Sequence, residues 1–430
     1  MDIKELILRD REQRMNLIKD VIVEHNLFVI IIKCNVCGDQ KNFACFEFLK
    51  KYFLNQILNT FTIHSYDYYE SYDGNYFLVQ IEDDSEISVK KKLVDLENGV
   101  FGRVIDLDLY TNLEKSVSRN DLSIKPRRCI VCGNSTISCM RNSVHTVDEV
   151  LMHTQDLIQK DLIKNLAEIV KDSMYEEVSA EPKFGLVTKN TNGKHQDMSY
   201  DTFTASIEAI NKYVEEYARV GFDINDDSFT ILREIGKRAE VAMYEATGNI
   251  NTHKGTIFIL GFLVPSIVDA LYNNKPFIEV SNTIKYLAKD IMLDFNMKSA
   301  ITAGEKAFIK YDITGVRGEV FSGLEKVFEA VEKFIDYDTD NNSLVIDLLL
   351  NFMSCVDDTV ILSRREVGFL DYVKGVAQEI IEQGGYRSDV GKNLVDEYTT
   401  DFIYQNISPG GSADMTIASL ILLKIVSNFY

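Results

Sequence analysis

Hydrophobic and polar positions follow two different rhythms along this 430-residue chain. Up to about residue 145, short strand-like and helix-like pieces alternate. Phe28–Ile32 is a β-rich run suited to a buried strand, and Tyr76–Ile81 is another. Phe46–Leu58 carries apolar residues at helical spacing. Phe101–Tyr110 alternates, with Ile105, Leu107 and Leu109 on one face and Asp106 and Asp108 on the other. From about Val147 the period lengthens to three or four residues, predicting helices over Leu157–Tyr175, Thr202–Val220, Phe229–Ala246, Ile257–Leu271 and Val367–Gln383. Strand candidates nearly vanish there. Val147–Lys160 reads as continuous amphipathic helix, so a short or helical linker is expected near residues 150–165. No period of 20–50 residues repeats, which argues against a solenoid.

Composition narrows the picture. A hydrophobic fraction of 46% can supply more than one core, and the length allows two or three domains. A net charge of −20 argues against a protein that coats nucleic acid. The first twenty residues form a charged amphipathic helix without a signal-type apolar core. The apolar stretch Ile417–Val426 contains Lys424 and is too short to span a bilayer. Seven cysteines cannot all pair internally, and reduced thiols are expected. The expectation is a cytoplasmic protein with neither membrane nor nucleic-acid partners.

Asp106 and Asp108 lie two apart on a predicted strand, so both carboxylates project from one face. Paired oxygen donors suit Mg²⁺ and thereby polyphosphate chemistry; a solvated strand face is the plainer reading. Between Arg119 and His145 lie Arg119, Lys125, Arg127, Arg128 and Arg141 against one acidic residue, Asp121. That basic segment in an acidic chain is an anion-binding candidate, or else a surface patch. Cys129 and Cys132 form a Cys-x2-Cys pair followed by Cys139 and His145, a spacing that can enclose Zn²⁺. Cys34 and Cys37 offer a second pair and a four-cysteine alternative. The loose spacer after Cys132, and the use of reduced cysteine as a small hydrophobe, favour the metal-free reading.

Gly102–Asp108 (GRVIDLD), Ser118–Asp121 (SRND), Arg127–Cys132 (RRCIVC) and Cys139–Arg141 (CMR) together resemble the apo-citrate lyase phosphoribosyl-dephospho-CoA transferases. The likeness spans roughly residues 5–155 and includes Leu8–Arg14. Cys37 departs from it, standing where the family usually has Pro. The resemblance implies a domain over residues 1–155 with a nucleotidyltransferase-like α/β fold and a mixed sheet. It implies transfer of a phosphoribosyl-dephospho-CoA group to a serine of the acyl carrier protein subunit of citrate lyase, with release of pyrophosphate. Asp106 and Asp108 would hold Mg²⁺, while Arg103, Arg119, Arg127 and Arg128 would contact phosphates.

In the helical half the informative positions are polar loops. Glu177–Val187 contains Pro182, Lys183 and Gly185, and Asn192–Met198 follows it. In Gly248–Gly255, Gly248 suits a helix C-cap, Thr252 an N-cap, and Lys254-Gly255 a phosphate cradle at a helix start. Gly315–Glu319, Asp357–Thr359, Arg364-Arg365 and Ser408–Asp414 are read as further loops. None matches a Walker or dinucleotide fingerprint, and each alone reads as caps and turns.

Jointly, in order, they resemble the triphosphoribosyl-dephospho-CoA synthases over about residues 165–430. Asn251–Gly255 (NTHKG) is the most specific piece. Phe184, Val360 and Ser363 depart from the usual pattern. The resemblance implies an all-α domain over residues 165–430 that converts ATP and 3′-dephospho-CoA into 2′-(5″-triphosphoribosyl)-3′-dephospho-CoA and adenine. It assigns catalysis to His253, Lys254 and Glu319. Substrate contacts fall to Lys183, His195, Asp197, Asn251, Thr252, Arg317, Asp358, Arg364, Ser408 and Asp414. Glu177, Asp197, Glu240, Glu319, Asp358 and Asp414 are the candidate carboxylates; Lys183, His195, His253, Lys254 and Arg317 are the candidate cations. Alternatives are the same chemistry serving malonate decarboxylase, or an inactive nucleotide- or carrier-binding regulator.

Overall fold

A computed structural model describes residues 2–83, 85–111, 116–292, 303–363 and 366–430. The chain divides into two compact units. One takes in residues up to Asn165 with Leu271–Asn274 and Ser427–Tyr430; the other holds Leu166–Ala270 and Lys275–Val426.

The isoleucine run of the first unit becomes the middle of a sheet. Strands β1 (Phe28–Cys34), β2 (Ile63–Tyr69), β3 (Tyr76–Ile81), β4 (Ile105–Tyr110) and β5 (Ser116–Val117) lie in the order β2-β3-β1-β4-β5. Every described pairing is antiparallel, so the expected mixed sheet is corrected. The like-directed strands β3 and β4 flank β1 rather than each other, which leaves no parallel ladder. Helix α1 (Ile3–His25) lays Ile18 and Ile22 over Val29, Ile31 and Leu78 on one face. Helices α2 (Glu47–Leu58) and α3 (Glu86–Glu97) pack against the sheet and carry Phe48, Phe53, Val89 and Leu93, all buried. Ile30 and Ile32 are fully buried as well, so β1 is covered on both faces. Strand β4 starts at Ile105; Phe101–Val104 is turn rather than strand. Strand β2 has a mostly exposed, Tyr-rich sequence with His64, Ser65 and Asp67, which hides it from an apolar pattern. A short helix, α4 (Thr136–Arg141), closes the basic segment.

Helix α5 (Val147–Ser179) is continuous across residue 165 and ends beyond Glu177, so that residue is helical rather than in a loop. The second unit is built from helices alone among its described residues. Besides the part of α5 beyond Asn165, they are α6 (Tyr200–Val220), α7 (Ser228–Thr247), α8 (Lys254–Tyr272), α9 (Glu279–Leu287), α10 (Ala303–Tyr311), α11 (Gly315–Phe321), α12 (Glu325–Phe334), α13 (Asn341–Cys355), α14 (Thr359–Leu362), α15 (Gly368–Glu382), α16 (Asp389–Tyr404) and α17 (Gly410–Phe429). Leu349, Leu350 and Met353 of α13 pack with Val373, Val376 and Ile380 of α15 and Phe402 of α16. Helices α8 and α17 are mostly apolar, with Lys254 and Asp269 in the first and Asp414 and Lys424 in the second. By length and composition both could cross a membrane, but 83% and 67% of their apolar windows are buried in the protein, as suits core helices.

Two expected loops are helical. Gly315–Glu319 forms most of α11 despite its two glycines, and Asp414 is the fifth residue of α17. Tertiary packing overrides weak local propensity at both places.

Candidate active sites

In the first unit, antiparallel register places Lys33 opposite Asp106 and Ile31 opposite Asp108. Both carboxylates therefore lie on the sheet face that α1 covers. Burial pushes both above the ordinary carboxylate range, against the pull of Arg127 on Asp106 and of Lys90 on Asp108; each also raises or meets a like charge, Asp108 beside Asp106 and Glu97 beside both. Two crowded carboxylates with oxygen donors fit a hard divalent cation.

The predicted arginines are placed unevenly. Arg127 reaches Asp106 Oδ1 at 3.1 Å and the Ile105 carbonyl at 2.6 Å. Arg119 and Arg127 also converge on Glu97, at 2.5 and 2.8 Å. Arg103 donates to the carbonyl of Arg128, whose own side chain is on an exposed residue. Glu97 was not legible beforehand. Burial alone would raise it, but Arg127 and Arg119 hold it below the usual range, and it accepts the Leu107 N–H at 3.0 Å. A second unforeseen cluster surrounds Asp73, which meets Lys33 at 2.6 Å, Arg11 at 2.7 Å and Arg14 at 2.8 Å. The Leu8–Arg14 motif was the only signal for it. The cysteines split as well: Cys129, Cys132, Cys139 and His145 cluster, whereas Cys34 bonds the Phe46 carbonyl and Cys37 that of Val147, so the four-cysteine alternative fails.

In the second unit the N-terminus of α8 organises the site. Asn251 Oδ1, not Thr252, accepts the Lys254 N–H at 3.3 Å; Thr252 Oγ1 is buried without a partner. The expected cap thus moves one residue. The expected phosphate cradle is partly filled by the protein itself, because the Asp414 carboxylate accepts from the Thr256 hydroxyl and backbone N–H. A helix N-terminus favours an anion, and here that anion is a side chain. Gly255 allows the approach, since a Cβ there would stand 2.0 Å from Asp414 Oδ2. Burial, with Asp358 and Glu177 nearby, pushes the Asp414 carboxyl up to about 7.

Asp358 is fully buried yet well satisfied, taking the Val360 N–H at 2.9 Å and the Ser412 N–H at 3.0 Å. It thereby ties the starts of α14 and α17 together. Burial nonetheless raises it.

Two clefts meet at this helix start. One, of about 460 Å³, is lined by Glu240, Lys254, Arg317, Glu319, Asp358 and Asp414. The other, of about 340 Å³, is lined by Glu177, Lys183, His195, Asp197, His253 and Ser408. Asn251, Lys254, Gly255, Val360 and Asp414 line both. Arg317 meets Glu305 at 3.5 Å, Lys254 meets Glu240 at 2.8 Å, and Glu319 is held by Lys326. His195 Nε2 lies 3.2 Å from Ser408 Oγ. Arg364 lies outside the described residues.

Burial corrects the expected cations. His253 is 2% exposed and burial, aided by Lys183, pushes it down to about 3, so it is neutral. Its Nδ1 is 2.8 Å from Ser206 Oγ, while Nε2 is buried without a partner. His195 is also lowered by burial. Lys183 is enclosed, with Nζ 2.8 Å from Glu177 Oε1 and 2.6 Å from the Glu177 carbonyl. Removing one partner of such a pair strands a buried charge, so Lys183→Met should lower stability by about 3–5 kcal/mol. Chemical denaturation would measure this. A double variant with Glu177→Gln should regain much of the loss; no recovery would mean that the two do not act as a pair.

Comparison with known proteins follows this division. Residues 163–429 match the family CitG, ATP:dephospho-CoA triphosphoribosyl transferase. Residues 3–161 match CitX, apo-citrate lyase phosphoribosyl-dephospho-CoA transferase. The chain is 29% identical over 366 residues to Protein CitXG of Leuconostoc mesenteroides subsp. cremoris, covering 79% of this chain and 78% of that one. It is 26% identical over 452 aligned positions to Protein CitXG of Haemophilus influenzae, covering 99% and 96%. It is 30% identical over 267 residues to the 2-(5''-triphosphoribosyl)-3'-dephosphocoenzyme-A synthase of Klebsiella pneumoniae, covering 59% of this chain and 88% of that one.

Proposed function

Because the chain belongs to the ATP:dephospho-CoA triphosphoribosyl transferase family and carries an apo-citrate lyase phosphoribosyl-dephospho-CoA transferase ahead of it, we propose that its two parts act in reverse chain order. The protein is a bifunctional transferase of citrate lyase prosthetic-group biosynthesis. In this reading residues 165–430 make the activated group and residues 1–155 attach it. The family named by the N-terminal match favours citrate lyase over malonate decarboxylase.

In the first reaction a ribose hydroxyl of 3′-dephospho-CoA attacks C1′ of the ATP ribose. The C1′–N bond breaks, adenine leaves, and the triphosphate stays on the new product. The observation that carries this reading is the convergence of Asn251–Gly255, Asp358 and Asp414 on one helix start where two clefts meet. Lys254 and Arg317 face the larger cleft and supply positive charge for the triphosphate. Thr252 Oγ1 and His253 Nε2 are buried and unpartnered, so they offer hydrogen bonds that a ligand would complete. Asp414, poised near neutrality, accepts the proton of the attacking hydroxyl. Glu319 and Asp358 hold the cleft walls through Lys326 and the starts of α14 and α17.

In the second reaction a serine hydroxyl of the apo acyl carrier protein attacks the phosphorus next to the ribose, and pyrophosphate leaves. Asp106 and Asp108 would hold Mg²⁺, which when bound offsets charge on the triphosphate and on the departing pyrophosphate. Arg127 steadies Asp106, and Glu97 fixes Arg127 and Arg119 beside it. The nucleophile comes from the partner, so no activated serine or cysteine is needed here. We place both reactions in the cytoplasm.

Incubation with Mg-ATP and 3′-dephospho-CoA should release adenine stoichiometrically with triphosphoribosyl product. Adding the apo acyl carrier protein of citrate lyase should then raise its mass and release pyrophosphate. Absence of adenine under all conditions would overturn the first assignment. Preference for the malonate decarboxylase carrier would overturn the choice of partner.

A further inference from the structure

We infer that Cys129, Cys132, Cys139 and His145 form a structural zinc site that holds the basic segment, and with it Arg127, against β4. The four ligand atoms all lie within 4.8 Å of one another, and Cys132 Sγ and Cys139 Sγ are 3.4 Å apart. Tetrahedral Zn²⁺ with Zn–S near 2.3 Å and Zn–N near 2.0 Å needs ligand separations of roughly 3.4–3.8 Å, inside that spread. Three thiols and one imidazole are a donor set that selects zinc over hard cations.

The local backbone is shaped for a metal. The Cys129 N–H bonds the Asn134 carbonyl at 2.7 Å, and the Gly133 N–H returns to the Cys129 carbonyl at 3.0 Å. Gly133 takes the left-handed turn, φ 71°, that closes this knuckle. His145 Nε2 is a buried polar atom with no partner. A buried polar atom without a partner costs stability.

The segment also needs a staple. Between Ser118 and Glu149, Cys139 alone is buried, so this stretch has no apolar core of its own. A metal replaces the missing core in such small modules. The benefit passes directly to Arg127, which precedes Cys129 by two residues. Its carbonyl accepts from the Thr136 hydroxyl at 3.0 Å, and Arg128 bridges to Ser135. Those contacts fix the backbone from which the Arg127 guanidinium reaches Asp106 and Glu97. Arg127 is in this sense placed by the zinc module.

The test begins with metal analysis of the full chain purified under reducing conditions, where about one zinc per chain is expected. Cys132→Ser and His145→Ala should lose it, while Cys355→Ser, at an exposed cysteine elsewhere, should keep it. The same two variants should lose carrier-protein transfer at least tenfold and keep adenine release, while an unchanged far-UV circular dichroism spectrum shows that the first unit still folds. Replacement by Co²⁺ should give thiolate-to-metal absorption in the wild type only. The inference fails if the wild type holds no zinc and does not take up added Zn²⁺. It fails equally if the variants keep zinc, or if transfer survives zinc loss. A thiol count two short of seven in denaturant, showing a Cys132–Cys139 disulfide, would also overturn it. The zinc count is independent of the transferase reading, so failure of carrier modification with zinc present would point to that reading instead.

Discussion

Asp106→Asn should lower transfer to the carrier protein by about 10²–10³-fold, the scale of losing one preorganised charge contact in phosphoryl chemistry. Asp106 shares one sheet face with Asp108, opposite Lys33, and takes the Arg127 guanidinium at 3.1 Å. An amide keeps the shape but withdraws one of two anionic oxygens from the site. Adenine release should stay within twofold of wild type, because the residues assigned to it lie in α8, α11, α17 and their neighbours. Burial raises the folded-state carboxyl above its unfolded value, so ionisation costs stability as pH rises through that range. With EDTA at neutral pH, Asp106→Asn should therefore melt no lower than wild type. Transfer at the wild-type rate would remove Asp106 from the site; loss of both activities together would mean general damage.

Asp414→Asn should reduce adenine release by about 10²–10⁴-fold, the usual contribution of a positioned general base. The carboxylate sits on the first turn of α8, against Gly255, and is pushed up to about 7 by burial and by Asp358 and Glu177. Adenine release in the wild type should accordingly rise as pH climbs through about 7, and the variant should lack this limb. Stability moves the other way. A folded-state value raised from 3.8 to about 7 gives a contribution that is complete below about 4 and is lost as pH rises to about 7. The melting temperature of Asp414→Asn relative to wild type should thus increase across that window. A variant that gains stability while losing adenine release would separate catalysis from folding. One that releases adenine at the wild-type rate would move the base to another carboxylate of the two clefts, such as Glu177 or Glu240.

The legible part of these sites was the part written in local spacing. Asp106 and Asp108 had to share a face once β4 was a strand, and register then set them beside Lys33. The order of the polar segments in the helical half was likewise readable, and so was Gly248 at the end of α7, where φ is 68°. Roles that depend on burial were not readable. His253 and Lys183 look like cations in the sequence, yet one is neutral and the other is enclosed with Glu177. Nothing in the local pattern marks Glu97 or Asp73, because each gains meaning only from arginines far along the chain.

The sequence by itself determined the change of texture near residue 150, the isoleucine strand, the paired aspartates and the family motifs, all properties of neighbours in the chain. Tertiary structure decided the antiparallel sheet, the helical state of Gly315–Glu319 and the merging of two clefts at the start of α8. It also decided which charges survive burial, since desolvation depends on what surrounds a group in space. The four candidate zinc ligands show the boundary most plainly. Their spacing allowed a site without requiring one, and only folding brought Cys129, Cys132, Cys139 and His145 within reach of a single ion.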